Sequence, residues 1–447
     1  MVRRNYPLPA DSPSDTVLIV HPDHPHDEGD LRGRDYKIAE IESLTKAIRL
    51  EHLQTVTAKI NRIQPSTYLG KGKCEEIREL TEALEPNVIV FNAVLSPVQQ
   101  RNLEKLWRSK VIDRTGLILE IFGDRAQTKE GRLQVELAAL DYQKSRLVRS
   151  WTHLERQRGG AGFMGGPGET QIELDRRIIS DKITKLKTEL ENVKRMREMG
   201  RKSRERMPFP VVAFVGYTNA GKSTLFNTLT GAEVFAKDLL FATLDPTLRR
   251  FDLPNGSKAI LSDTVGFISD LPTHLIAAFR ATLEETLHAD VIVHVIDASS
   301  PDHKAQRADV IKILRDLDID YEADERIIEV YNKIDAVNED DLAELTRDIR
   351  FSHNKLMISA VKSLGIDVFL AKVHEIISKN DQIHRFLIKS EDGKALAWLY
   401  EHADVLERSD SADAAGEAFI LVDVKIAAAD LLRFTKRFEY EPILDSV

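Results

Sequence analysis

Val211–Ser223 reads VVAFVGYTNAGKS, and Thr224 and Leu225 follow it. Val211 to Val215 is a short apolar run with β-branched residues, the length of a buried strand. Gly216 ends it, and Gly221, Lys222 and Ser223 complete G-x-x-x-x-G-K-S at the opening of a helix. Strand, glycine turn and helix in that order are the context a phosphate loop requires. Glycine lets backbone N–H groups close round a phosphate with no Cβ in the way. The helix N-terminus adds the positive end of a dipole. On this reading Gly216, Tyr217, Thr218, Asn219, Ala220, Gly221 and Thr224 surround a phosphate chain. Lys222 reaches its β- and γ-phosphates, and the Ser223 hydroxyl holds Mg²⁺.

The other parts of a guanine-nucleotide site follow in the required order. Asp263, Thr264, Val265 and Gly266 come after strand-like Lys258–Leu261. Asp263 can hold Mg²⁺ through water, and the Gly266 amide can touch the γ-phosphate. Asn332, Lys333, Ile334 and Asp335 come after strand-like Ile327–Tyr331. A carboxylate there accepts from two N–H groups of guanine, and a mismatched base would leave it unpaired. Ser359, Ala360 and Val361 follow Leu356–Ile358 and are placed to offer a backbone donor to guanine O6. Phe241, Ala242, Thr243, Leu244 and Asp245 lie between the phosphate loop and Asp263, where a switch belongs. Thr243 is the expected second Mg²⁺ ligand and Thr247 the alternative. Four such elements in order predict a Mg²⁺-dependent enzyme hydrolysing GTP to GDP and phosphate, with Lys222, Thr243 and Gly266 carrying the chemistry. Phe267 stands where Ras-like enzymes place a water-orienting glutamine, so intrinsic turnover is expected to be slow.

The chain has 447 residues, enough for about three domains. Its single cysteine, Cys74, cannot form an intramolecular disulfide, which suits a reducing compartment. The N-terminus lacks an apolar secretory core, and no stretch approaches the ~20 apolar residues of a membrane span. A cytoplasmic monomer is expected. The net charge of −9 taken alone argues against nucleic acid. Residues 176–206, however, hold twelve Lys or Arg against five Asp or Glu, a local +7 on a remainder of −16. Such an element can reach phosphate backbones or be a solvated helix face.

The expected fold class is α/β, in four parts. Residues 1–128 alternate strand and helix, implying an N-terminal α/β domain with a mainly parallel sheet. Its strands include TVLIV (16–20), LQTVTAKI (53–60), Asn87–Phe91, Val111–Ile112 and Leu117–Phe122. His21, His24 and His26 in the loop 21–30 read as a solvated loop in preference to a metal site. Residues 129–207 read as two long helices packed antiparallel, an arm. Leu133, Leu137, Leu140 and Leu147 form one stripe, and Ile172, Ile178, Ile179, Ile183, Leu186 and Leu190 the other. Thr170 with Glu173 could cap the second helix. Between them lies a glycine-rich loop with Gly160, Phe163, Met164 and Gly165, flanked by Arg158, Arg176 and Arg177. Apolar tip residues with arginine flanks suit a ribonucleoprotein surface, and a structural hinge is the other reading. Residues 208–380 form the P-loop GTPase domain and 384–447 a small C-terminal α+β segment, with helix over Ala395–Leu406 and a polar turn at Ser409–Ala415.

The nucleotide site is similar to that of translation-factor-class GTPases with a hydrophobic residue in place of the catalytic glutamine. The stretch RGGAGFMGGPGETQIELDRR (158–177) resembles the signature of the HflX family. The likeness extends to Tyr68–Lys73, GRLQVELAAL (131–140), GYTNAGKSTLFN (216–227), FATLDPT and DTVGFI. It implies binding to the large ribosomal subunit, separation of stalled 70S ribosomes, and a loop directed at the peptidyl-transferase centre. Arg158, Gly160, Phe163, Met164, Gly165, Arg176 and Arg177 are the expected contacts to ribosomal RNA. Asn219 either braces the phosphate loop or holds K⁺ beside the phosphates, as in related GTPases. Other readings are a GTPase of ribosome assembly or RNA modification, and a GTP-gated RNA-binding switch.

Overall fold

Alternating strands and helices from Thr16 onward close into a wholly parallel sheet in the computed structural model, which describes residues 15–24, 32–157, 167–204, 209–231, 240–241, 247–269, 286–412 and 418–443. Strands β1 (Thr16–Asp23), β2 (Glu51–Lys59), β3 (Val88–Phe91) and β4 (Lys110–Asp113) lie in the order β2-β1-β3-β4. Side chains alternate across β1 as the pleat demands: Leu18 and Val20 pack with Phe91 and Trp107, while Val17 and Ile19 pack with Ile41 and Phe122. Helices α1 (Arg34–Ala47), α2 (Lys71–Leu84), α3 (Pro97–Trp107) and α4 (Arg114–Arg125) supply these layers. Ser96 starts α3 with a capping box to Gln99.

Leu117–Phe122 is therefore helix, not strand. Asp113 ends β4 and caps α4 by accepting from the Gly116 amide, and the apolar run that follows is fully buried at 117, 118, 121 and 122, a helical spacing, with Leu119 just inside the surface. A short apolar run fits either element until its neighbours are known.

Two helices, α5 (Lys129–Gln157) and α6 (Pro167–Arg204), form the arm. They are about 43 and 57 Å long at 1.5 Å per residue. Leu133, Leu137 and Leu140 of α5 meet Ile179, Ile183, Leu186, Leu190 and Val193 of α6. Helices joined by so short a connection and packed side by side run antiparallel. Ile178 departs from the expected stripe and is exposed. Thr170 is not the cap, because α6 begins at Pro167, and proline suits a first helical position.

The next sheet has the order β10-β9-β8-β5-β7-β6. It comprises β5 (Val211–Gly216), β6 (Thr247–Asp252), β7 (Lys258–Asp263), β8 (Val291–Asp297), β9 (Ile327–Asn332) and β10 (Lys355–Met357), with only the β6–β7 pair antiparallel. Helices α7 (Lys222–Thr230) and α10 (Ile366–Ile377) cover one face and α8 (His303–Asp316) the other, while α9 (Glu339–Ile349) packs Ile349 on Ile296 and Tyr331.

Last, β11 (Gln382–Lys389), β12 (Asp404–Ala412) and β13 (Ala418–Ile426) form an antiparallel sheet, order β11-β13-β12. Helices α11 (Gly393–His402) and α12 (Ala428–Phe438) cover one face through Trp398 and Phe434. Leu406 and Ser409–Ala412 thus lie in a strand, not in a helix and a turn. Pairing with β13 overrides their polar composition, and an edge strand tolerates it.

Among the described residues no helix is long and apolar enough to cross a membrane. Nor, among them, is there a group of three or more His, Cys, Asp or Glu able to hold a metal. His21 bonds Asn92, His24 bonds Tyr68, and His26 lies outside the described residues.

Candidate functional site

Gly221 turns the chain at φ +92°, and a Cβ there would collide with Asn332 Nδ2. Only glycine lets the loop after β5 run that close to β9. It also serves as the N-cap of α7 and, being glycine, caps none of the first amides with a side chain of its own. Lys222 is buried, and its Nζ donates to the carbonyls of Gly216 (3.0 Å) and Tyr217 (2.8 Å). Burial pulls its ammonium down to about 8, against the partial opposition of Asp263. The Thr218 hydroxyl is buried with no hydrogen-bond partner among the described residues, and Asn219 sits exposed at φ +59°.

Ser223 Oγ donates to Asp263 Oδ2 at 2.8 Å, and Asp263 is fully buried. A hydroxyl and a carboxylate at the phosphate end of the loop are hard oxygen donors of the kind Mg²⁺ takes, so the residues fit the ion. The chain beyond Asp263 docks on the phosphate loop. Phe267 N donates to Gly216 O (3.1 Å) and Thr218 N to Phe267 O (2.7 Å). Gly266 is wedged so tightly that a Cβ would stand 2.9 Å from Thr218 Cγ2 and 3.1 Å from Lys222 Nζ. The Phe267 side chain turns away into the core with Val215, Val310 and Leu314. Thr264 and Val265 are buried alongside.

At the other end Asn332 ties two loops together, donating to Ala220 O (2.9 Å) and accepting from Ala360 N (3.0 Å). Of the stretch Ser359–Val361, expected to offer a backbone donor to guanine O6, the Ala360 amide is thus engaged by Asn332. Lys333, at φ +65°, passes beside Gly221 and bonds Asp297 (2.7 Å). Ile334 is half-buried, and Val361 is exposed beside the buried Ser359. Asp335 is exposed, with one carboxylate oxygen held by Ser359 Oγ at 2.6 Å. That hydrogen bond keeps its carboxyl below the usual range, so it is an acceptor at neutral pH.

Phe241 packs its ring on Phe122 at 4.7 Å, within the N-terminal core. Thr247 opens β6 opposite Asp263. Ala242, Thr243, Leu244 and Asp245 lie outside the described residues, as do Arg158, Gly160, Phe163, Met164 and Gly165. Arg176 and Arg177 are exposed on α6, and Thr224 is half-buried on α7. Sequence reasoning missed Glu40 and Arg114, which stand on α1 and α4 of the N-terminal domain: Glu40 bonds Tyr217 of the phosphate loop, and Arg114 bonds Glu40 and Ser269. Nothing in their local sequence marks them, because Glu40 is 177 residues from Tyr217 and 229 from Ser269.

Four family profiles match in chain order: GTP-binding GTPase N-terminal over 35–123, GTP-binding GTPase Middle Region over 125–204, 50S ribosome-binding GTPase over 211–333, and HflX C-terminal domain over 344–442. GTPase HflX of Magnetococcus marinus is 46% identical, covering 90% of this chain and 91% of its own. GTPase HflX of Escherichia coli is 45% identical, covering 81% and 84%. A GDP complex of a GTP-binding protein from Sulfolobus solfataricus aligns over 82% of this chain and 99% of that one, at 23% identity and a TM-score of 0.43.

Proposed function

The chain belongs to the HflX family of GTPases, and from that premise we propose that it binds the 50S ribosomal subunit and separates stalled 70S ribosomes, which in turn stimulate its GTP hydrolysis. One observation carries this reading: the α5–α6 pair is long, carries a basic run, and is rooted where the N-terminal domain meets the GTPase domain. At that root Tyr142 and Arg146 of α5 donate to Asp113 at 2.5 and 2.8 Å. The charge excess lies on α6, which presents Arg176 and Arg177 to solvent. Phosphate contacts from such a face position a protein on RNA without reading sequence.

The chemistry asked of the site is positioning and charge stabilisation. Lys222 leaves its two carbonyls for the β- and γ-phosphates. Asp335 accepts from the guanine edge while Asn332 braces the loops at either side. Ser223, with Thr243 as the second ligand, would hold Mg²⁺, which would supply neutralisation of charge on the phosphate oxygens. Asn219 is the candidate K⁺ ligand at the open side of the loop. Phe267 cannot orient the attacking water, which leaves that task to the switch and the ribosome.

A sucrose gradient of 70S ribosomes with the protein and a non-hydrolysable GTP analogue tests the proposal. Conversion of 70S to subunits, with the protein on the 50S peak, is expected. Intact 70S particles would refute it, and binding only to immature large subunits would favour an assembly role.

A further inference from the structure

Glu40 is a buried carboxylate of α1, in the N-terminal domain, yet the GTPase domain bonds it as well. Arg114 Nη2 donates to its Oε2 at 2.5 Å, and Ser269 Oγ donates to the same oxygen at 2.8 Å. The Tyr217 hydroxyl donates to Oε1. Arg114 also reaches the Ser269 carbonyl (3.1 Å), and the Ser269 amide donates to the Tyr217 hydroxyl (2.8 Å). The Glu40 and Arg114 side chains are 4% and 7% exposed, so this ring is screened from water and directional. Burial and the Glu40 charge push Tyr217 well above its ordinary range and Tyr36 to about 12, so both phenols are donors.

We propose that Glu40 and Arg114 are positioning residues of the GTPase cycle, which hold Tyr217 and Ser269 together and so set the preference between GDP and GTP. Tyr217 belongs to the phosphate loop, and Ser269 lies two residues after Phe267. Clamping one to the other presses Gly266–Ser269 onto the loop, with Gly266 against the Lys222 ammonium. The β-phosphate lies in the loop and leaves this arrangement alone. A γ-phosphate must draw on Lys222 and the Gly266 amide. It therefore displaces the segment and works against the clamp. Apolar neighbours reinforce the clamp, since Tyr217, Val265 and Ile268 are buried in the same cluster as Ile41, Leu117 and Ile118.

Two variants of the full-length protein test this without altering a phosphate contact. Ser269→Ala removes the hydroxyl from Glu40 and Arg114, and Glu40→Gln weakens the charged bonds at constant shape. GDP affinity is expected to stay within about twofold, while affinity for a non-hydrolysable GTP analogue rises about five- to tenfold, a usual size for coupling between sites. The double variant should gain no more than the better single one, because both open the same clamp. A merely structural role would lower the melting temperature and leave the ratio of the two affinities where it was. That outcome overturns the proposal, as does full additivity. If Glu40→Gln fails to fold, Ser269→Ala decides alone.

Discussion

Asp335 is open to a ligand on one side and fixed by Ser359 on the other, so its role rests on hydrogen-bond geometry alone. Asp335→Asn replaces a two-point acceptor by an amide, which fits xanthine better than guanine. GTP binding should be lost and xanthosine triphosphate binding gained in a fluorescence titration; unchanged GTP affinity would mean the base lies elsewhere. Lys222 gives a second residue-scale test. Burial lowers it to about 8, and phosphates would raise it again. Between pH 8 and about 10.5 binding must then take up a proton, so nucleotide affinity falls as pH rises, by up to tenfold per unit. Stability runs the other way: the unfolded chain binds more protons in that window, so folding strengthens with pH. Calorimetry at pH 8.5 in buffers of different ionisation enthalpy should show proton uptake on GDP binding, and none would separate Lys222 from the phosphates. These residues are readable in sequence because each chemical task confines its residue type and spacing. Glu40 and Arg114 are not, because an acidic residue on a helix and an arginine after a strand are ordinary until the fold brings them together.

Elements are legible where pattern and context agree and are misread where only pattern speaks. Val211–Gly216 announces itself because a loop of known purpose follows it. Leu117–Phe122 does not, since its cap sits on Asp113, a residue that also ends a strand. The strand Asp404–Ala412 hides for another reason: its order comes from β13 and not from its own polar residues. The arm lies between these cases, with its stripe visible and its exposed Ile178 not. Among the described residues its core is one seam, mostly leucines and isoleucines, so one charge should undo it. Ile183→Asp buries an unpaired carboxylate where Leu133, Leu140 and Leu186 meet. A local loss of about 3–4 kcal/mol follows from a large aliphatic removed and a charge introduced. Hydrogen exchange should speed up along α5 and α6 while β5 and β7 stay protected. Equal protection throughout would show that the helices do not depend on that seam.

At the scale of the molecule, the arm and the nucleotide site share one root. Asp113 holds α5 through Tyr142 and Arg146, and the next residue, Arg114, holds Ser269 and Glu40. Removing the charge of Arg114, as in Arg114→Met, strands Glu40 in the interior, a cost of about 3–5 kcal/mol for half of a buried pair. The tip of the arm is a different matter, because its proposed task is separate from all of this. Deleting Gly160–Gly166 should therefore leave GDP and GTP affinities and the basal rate within about twofold, since the nucleotide loops are braced by Asn332, Asp297 and, from the N-terminal domain, Glu40 and Arg114. The same deletion should abolish separation of 70S particles, because the glycine-rich tip is the part proposed to enter the ribosome. Partial binding should persist through the basic face of α6, and it should weaken steeply between about 50 and 200 mM salt, as phosphate contacts do. The decisive comparison is the rate of subunit separation at equal ribosome occupancy. If the shortened protein separates subunits at the full rate, the tip is only a connection between two helices, and the working surface must lie on the helices themselves.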